Sequence, residues 1–376
     1  MKKKIYTSRY AAKPKGFSII EFMVASLLSM IVMIAVGSGY FAARKVNDVA
    51  IARLNAQQDI RNVSNMIVYD ARMAGSFGCF NLSNLDNKNI KISPDWTKYN
   101  DKDIHKLQNF LFAGTKGSAD AIELSEGVKS IARADFASVM KISGFTAQSD
   151  ALVFQYGDGS PAITEVTSNH VTIEPNGDVT AATLVNNSPV AVSTCDTLGL
   201  YLIDRADNNS KIINIRTNTQ GSLDSSITDP KFKHQVSLTR YIINVYVVGR
   251  PNGGDQGLYR IQLGANNEWQ TPQLLLPGIN DMSILYGYAE NCQGVNPDID
   301  TEAKPASVPE TFRFTKQQLT SDMVRPLASI RLVLNGNNLV AEGQTMQNAA
   351  SRENAGNVYI HNIDANIRGG NRCANR

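Results

Sequence analysis

The sequence predicts an α+β protein: one long N-terminal α-helix packed on a large β-rich region. Three observations predict it. An uncharged stretch from Phe22 to Ala43 follows Glu21 directly, and neither Pro nor Gly interrupts Arg44 to Ala74. Beyond them, about 300 residues alternate short runs of β-branched and aromatic side chains with Gly, Pro, Asn and Asp, the composition of strands and turns.

The chain divides into four segments. Residues 1–16 form a basic leader carrying Lys2, Lys3, Lys4, Arg9, Lys13 and Lys15 and no acid. Residues 17–43 form an apolar helix. Its 22 uncharged residues span about 33 Å at 1.5 Å per residue, close to the roughly 30 Å hydrocarbon thickness of a bilayer. Residues 44–75 continue that helix in water: Val46, Val49, Ala50, Leu54, Ile60, Val63, Ile67 and Ala71 recur largely at three- and four-residue steps. On this reading Arg53, Gln57, Asp59, Arg61 and Asp70 take the other faces, and Gly75 supplies the stop. Within the helix, Gly37 and Gly39 either permit close helix contacts or mark a place of local unwinding when subunits pack.

Residues 76–376 form the β-rich globular domain. Strands are expected at 121–124, 151–156, 171–174, 198–203, 212–216, 236–248, 258–263, 282–288 and 330–334. Arg250-Pro251-Asn252-Gly253-Gly254-Asp255 reads as the loop of a hairpin. Two polar segments, 81–117 and 294–309, read as surface loops and, on a displayed domain, as contact surfaces.

Charge separates leader from body. The whole chain carries +3, and removing the six leader cations leaves −3 on the remainder. The basic balance therefore belongs to the leader and is no nucleic-acid footprint; no direct nucleic-acid binding is expected. By the positive-inside rule the leader stays cytoplasmic, which places the β-rich body in the periplasm and leaves a single inner-membrane span.

Catalytic signatures are missing from the sequence. It holds no P-loop, no G-x-S-x-G and no H-E-x-x-H, and His105, His170, His234 and His361 have no ligand spacing. No enzyme activity and no cofactor are expected. Asp298, Asp300 and Glu302 alternate as calcium ligands do, but the run lacks the mid-loop Gly and distal Glu of an EF-hand loop, so a solvated acidic loop is the competing reading. Four cysteines, Cys79, Cys195, Cys292 and Cys373, lack a C-x-x-C pair. An even number in an exported domain favours two disulfides over buried thiols. Of three pairings, Cys79 with Cys195 and Cys292 with Cys373 would each pin a flanking segment to the β body.

The acid at the membrane edge gives the N-terminus its meaning. An ionised carboxylate inside a bilayer is costly and calls for a partner. The string Gly16-Phe17-Ser18-Ile19-Ile20-Glu21-Phe22-Met23-Val24-Ala25 resembles the N-terminus of type IV prepilins and type II secretion pseudopilins. That resemblance implies cleavage between Gly16 and Phe17 by a prepilin peptidase, N-methylation of Phe17, and pairing of Glu21 with the new amine of a neighbouring subunit during assembly. Asp70-Ala71-Arg72-Met73-Ala74-Gly75-Ser76-Phe77-Gly78-Cys79 resembles the A-R-x-A-G-x-x-G-C signature of PilW-type minor pilins, as do Asp150 to Gly157 and Leu276 to Met282. It implies a subunit that primes pilus assembly at or near the tip, with other minor pilins, the major pilin and the inner-membrane assembly platform as partners. The alternatives are a minor pseudopilin of a type II secretion system and a single-span periplasmic receptor.

Overall fold

The structure, a computed structural model, describes residues 16, 18–82, 89–92, 127–159, 163–167, 170–173, 186–207, 212–216, 225–228, 236–265, 268–289, 312–316, 327–337 and 358–367. A single helix, α1 (Ile19–Met73), runs 55 residues, about 82 Å at the ideal rise. It passes through Gly37 and Gly39 without a break and stops where Gly75 takes a left-handed φ of 77°.

Short strands β1 (Ser76–Phe77) and β2 (Phe80–Asn81) follow as a tight hairpin. Next come β3 (Asn89–Ile92), β4 (Val128–Ile131), helix α2 (Arg133–Met140), β5 (Phe145–Ala147), β6 (Ala151–Asp158), β7 (Ile163–Val166), β8 (His170–Ile173), β9 (Pro189–Ser193), β10 (Thr197–Asp207) and β11 (Ile212–Arg216). The final set is β12 (Ser237–Pro251), β13 (Gly257–Gln262), β14 (Gln273–Pro277), β15 (Ile279–Ala289), β16 (Phe312–Thr315), β17 (Ser329–Asn337) and β18 (Val358–Asn366). Among the described residues these strands make one large sheet, one four-stranded sheet ordered β16-β15-β17-β18, and the β1–β2 hairpin.

The long strand β12 is the spine of the large sheet. Its first part pairs with β9 and its later part with β13 on one side, while β6 and β5 pair along the other, all antiparallel. β10 carries β3 as a parallel neighbour, so residues 89–92, expected within a loop, form a strand instead. Asn-Ile-Lys-Ile is a four-residue alternation too short to separate from coil by pattern alone.

Period-two alternation sends successive residues of β6 and β12 into two different cores. Leu152, Phe154, Tyr246 and Val248 face a core shared with α1 and the inner face of the small sheet. Ala151, Val153, Ile243 and Val245 face the opposite core, with Phe77, Phe80, Phe136 and Met140. Both faces being covered explains why β6 is buried from Ala151 to Gly157. In the small sheet, Ile284, Leu332 and Ile363 are register partners across β15, β17 and β18 and close on Ile60, Val63, Ile67 and Ala71 of α1.

Strands expected at 151–156, 171–174, 198–203, 212–216, 236–248, 258–263, 282–288 and 330–334 all coincide with observed ones, and the 250–255 loop joins β12 to β13 as a hairpin. The strand expected at 121–124, residues 1–15 of the leader, residues 83–88 and 93–117 of the first expected loop and the loop at 294–309 lie outside the described residues.

Candidate functional site

Two constellations stand at opposite ends of α1. At its start, Ser18 is the N-cap: its carbonyl accepts the first helical bond, from the Phe22 N–H at 3.1 Å. The Ile20 N–H donates to Ser18 Oγ at 3.3 Å, and the Ser18 N–H donates to Glu21 Oε2 at 3.0 Å. This reciprocal pair is a variant of the capping box, with the Ser18 hydroxyl on the second helical N–H instead of the third, and its S-x-x-E spacing is readable in Ser18-Ile19-Ile20-Glu21. Glu21 therefore has an intramolecular role beside its place at the start of the apolar run. Gly16 lies outside the helix, so helix geometry begins beyond the Gly16–Phe17 bond; Phe17 itself is outside the described residues.

From Ile19 to Leu54 the large apolar side chains of α1 are exposed, with Phe22 at 71%, Met33 at 74% and Leu54 at 59%. This helix is long and apolar enough to cross a membrane.

The other end of α1 holds a buried acid. Asp70 is 1% exposed, which corrects its assignment to a solvent-facing side of the helix. The Tyr156 hydroxyl donates to its Oδ1 at 2.9 Å, while Oδ2 accepts from the Tyr246 hydroxyl at 2.6 Å and from Asn244 Nδ2 at 2.8 Å. Three donors on β6 and β12 are what allow a carboxylate to enter a core. Its spacing was the available clue, because Val63, Ile67, Asp70 and Ala74 follow one heptad-like stripe. Burial holds the Asp70 carboxyl above the ordinary carboxylate range, against the opposing pull of its three donors and the Arg260 charge. Burial, reinforced by the Asp70 charge, pushes Tyr156 and Tyr246 far up, so both remain protonated donors.

The residues after Asp70 are tied to the sheet in succession. The Gly75 N–H donates to the Gln155 carbonyl at 2.8 Å, and Gly127 passes so close to Gly75 that a Cβ there would overlap its backbone. Ser193 Oγ donates to the Phe77 carbonyl at 2.6 Å. Cys79 and Cys195 are joined by a disulfide with a Cα separation of 4.7 Å, the first pairing expected from sequence. Cys292 and Cys373 lie outside the described residues, as do Asp298, Asp300 and Glu302.

The two later motif stretches are also joints. Asp150 Oδ1 accepts the Arg133 N–H at 2.8 Å and caps α2, and Gln155 Oε1 accepts the Tyr241 hydroxyl at 2.7 Å. Leu276 to Met282 turns β14 into β15, with Asn280 Oδ1 accepting from Gln256 Nε2 at 3.0 Å.

Among the described residues, no group of three His, Cys, Asp or Glu side chains is placed to hold a metal ion. His170 sits against Thr167 Oγ1 at 2.8 Å; His361 faces Ser64 Oγ at 3.4 Å, and burial holds its pKa below the usual histidine value. No protein-family profile, no curated protein and no solved structure matches this chain.

Proposed function

We propose that this chain is a minor pilin of the PilW type, which takes part in initiating type IV pilus assembly at or near the pilus tip. One observation carries the reading: a basic leader ends at Gly16, a helix opens two residues past the Gly16–Phe17 bond with Glu21 in its first turn, and membrane-length apolar surface follows without a break. A leader that precedes the apolar segment, and whose cleavage leaves that segment on the mature chain, is the arrangement of a prepilin and not of a secretory signal peptide.

In this reading a prepilin peptidase cuts between Gly16 and Phe17, and the mature Phe17 amine is methylated. The subunit waits in the inner membrane with its N-terminus cytoplasmic and the β-rich domain periplasmic. Glu21, closed on its own N-cap in the isolated chain, exchanges that contact for the amine of a neighbouring subunit on entering the filament. Such a charged, hydrogen-bonded pair is how a carboxylate is tolerated among packed apolar helices. The exposed apolar face from Ile19 to Leu54 is the surface buried by the other minor pilins and the major pilin.

Mass spectrometry of the N-terminus from cells with active peptidase tests the reading. The expected species starts at N-methylated Phe17; a chain still carrying Met1 overturns it. Deletion then separates pilus from secretion roles: loss of surface pili with normal exoprotein secretion is expected, and the reverse identifies a pseudopilin.

A further inference from the structure

Asp70 to Cys79 contains four successive attachments to the β region: the Asp70 carboxylate on Tyr156, Asn244 and Tyr246, the Gly75 N–H on Gln155, the Phe77 carbonyl on Ser193, and Cys79 on Cys195. The helix face that precedes them is apolar, with Ile60, Val63 and Ile67 packed on apolar neighbours. Apolar contact is non-directional, and a helix sliding by one turn of about 5.4 Å meets a similar surface. A buried carboxylate is different, because only a seat that supplies its donors is tolerated.

We propose that Asp70 is a register pin that seats the end of α1 during folding and thereby delivers Cys79, nine residues later, to Cys195. The chain holds four cysteines, so Cys79 has three possible partners. Sequence distance favours none strongly: Cys195 lies 116 residues away, and loop-closure cost rises only with the logarithm of loop length. Placement must therefore come from folded contacts already made when the thiols meet. Of the four attachments the Asp70 cluster comes first in the chain, and it draws on β6 and β12 alone. Cys195 follows directly on β9, which is paired to β12 and bonded through Ser193 to the β1 backbone. A pin that fixes α1 on β12 fixes it relative to Cys195 as well. The inference holds whether or not the protein is a pilin.

The chemical step is an ordinary exchange. One cysteine thiolate attacks a small-molecule disulfide such as oxidised glutathione, releasing one thiol; the second cysteine then displaces the other, so two electrons and two protons pass to the oxidant.

The test is oxidative refolding of the reduced, full-length protein in detergent with oxidised and reduced glutathione, followed by peptide mapping of the disulfides. Two variants remove the pin differently: Asp70→Asn alters the acid, and Tyr156→Phe with Tyr246→Phe keeps both rings but deletes two donors. The expected result is a Cys79–Cys195 bond that forms at least about fivefold more slowly than in the wild type, with Cys79 recovered in pairs with Cys292 or Cys373. Asp281→Asn, an exposed acid on β15, is expected to refold at the wild-type rate. Wild-type rate and pairing in both pin variants overturn the proposal. Should one variant fail to fold, the other decides.

Discussion

The two halves of α1 share a pattern and differ in what they meet. Val46, Val49, Ala50 and Leu54 follow the same three- and four-residue rhythm as Ile60, Val63, Ile67 and Ala71. Yet Val46 is 70% exposed and Ile67 fully buried. Rhythm identifies a face that some surface will cover; it does not say whether that surface belongs to the same chain. The charged pattern hides the same difference. Glu21 and Asp70 are both acids on an apolar helix, but Glu21 is exposed and bonded to its own backbone, while Asp70 is enclosed by three donors from two strands.

This contrast makes graded expectations. The largest effect belongs to the close approach of Gly127 to Gly75. Gly127→Val is expected to cost on the order of 4 kcal/mol or more and to abolish a cooperative thermal transition of the detergent-solubilised chain. Removing the disulfide with Cys79→Ser should cost about 2–5 kcal/mol in the same measurement, since it releases a loop closed across 116 residues. Tyr246→Phe deletes one hydrogen bond to a charged acceptor and is expected to cost about 1.5–3 kcal/mol. If that loss falls below 0.5 kcal/mol, the buried acid adds nothing that the apolar face lacks.

A pH series sharpens the comparison further. The folded-state pKa of Asp70 is raised by burial, so the folded chain favours its protonated form. The stability from this group is complete below its unfolded value and declines as pH rises through the raised folded value. Wild-type Tm should therefore fall relative to Asp70→Asn as pH rises from about 4 towards neutrality. A constant gap would show that the three donors and Arg260 fully offset the desolvation. His361 has the opposite sign, because burial lowers its pKa and its contribution is lost as pH falls below the unfolded value. The pH series is therefore cleanest with His361→Gln as a common background. The smallest effect is at the exposed end: Leu54→Ser should change the Tm of the isolated chain by no more than about 0.5 kcal/mol equivalent. The proposed function requires that the same change reduce incorporation into pili.

Long, strongly patterned elements were legible in the sequence. The helix start is legible to within two residues because the charged segment gives way there to an uninterrupted apolar run, and Gly75 marks its end. Strands with dense β-branched residues, such as β11 and β12, were equally visible. Others were not. β9 opens on Pro189, a residue that argues against a strand until its position at a strand end is known. β18 alternates buried Ile363 and Ala365 with exposed Asn362, Asp364 and Asn366, and Ala, Asn and Asp are all weak strand formers. The short helix α2 is capped by Asp150, seventeen residues away, a signal that no local reading contains. Of the site, Glu21 and the Cys79–Cys195 pair stand out in the sequence, whereas the roles of Ser18 and Asp70 within their motifs do not. The role of Ser18 is reciprocal with Glu21, and that of Asp70 depends on donors from strands far along the chain.

Ser64 meets His361 across 297 residues, and the same inner face of α1 packs on β17 and β18 near the end of the chain. At roughly 5–20 residues per second of synthesis, about 15 to 60 s separate the appearance of the helix from that of the strand that closes it. Through that interval Ile60, Val63 and Ile67 lack the part of their final cover that β17 and β18 supply. The nascent chain thus presents a sticky amphipathic segment long before it can hide it, and its yield in cells should depend on a holding chaperone in proportion to how slowly its last residues are made.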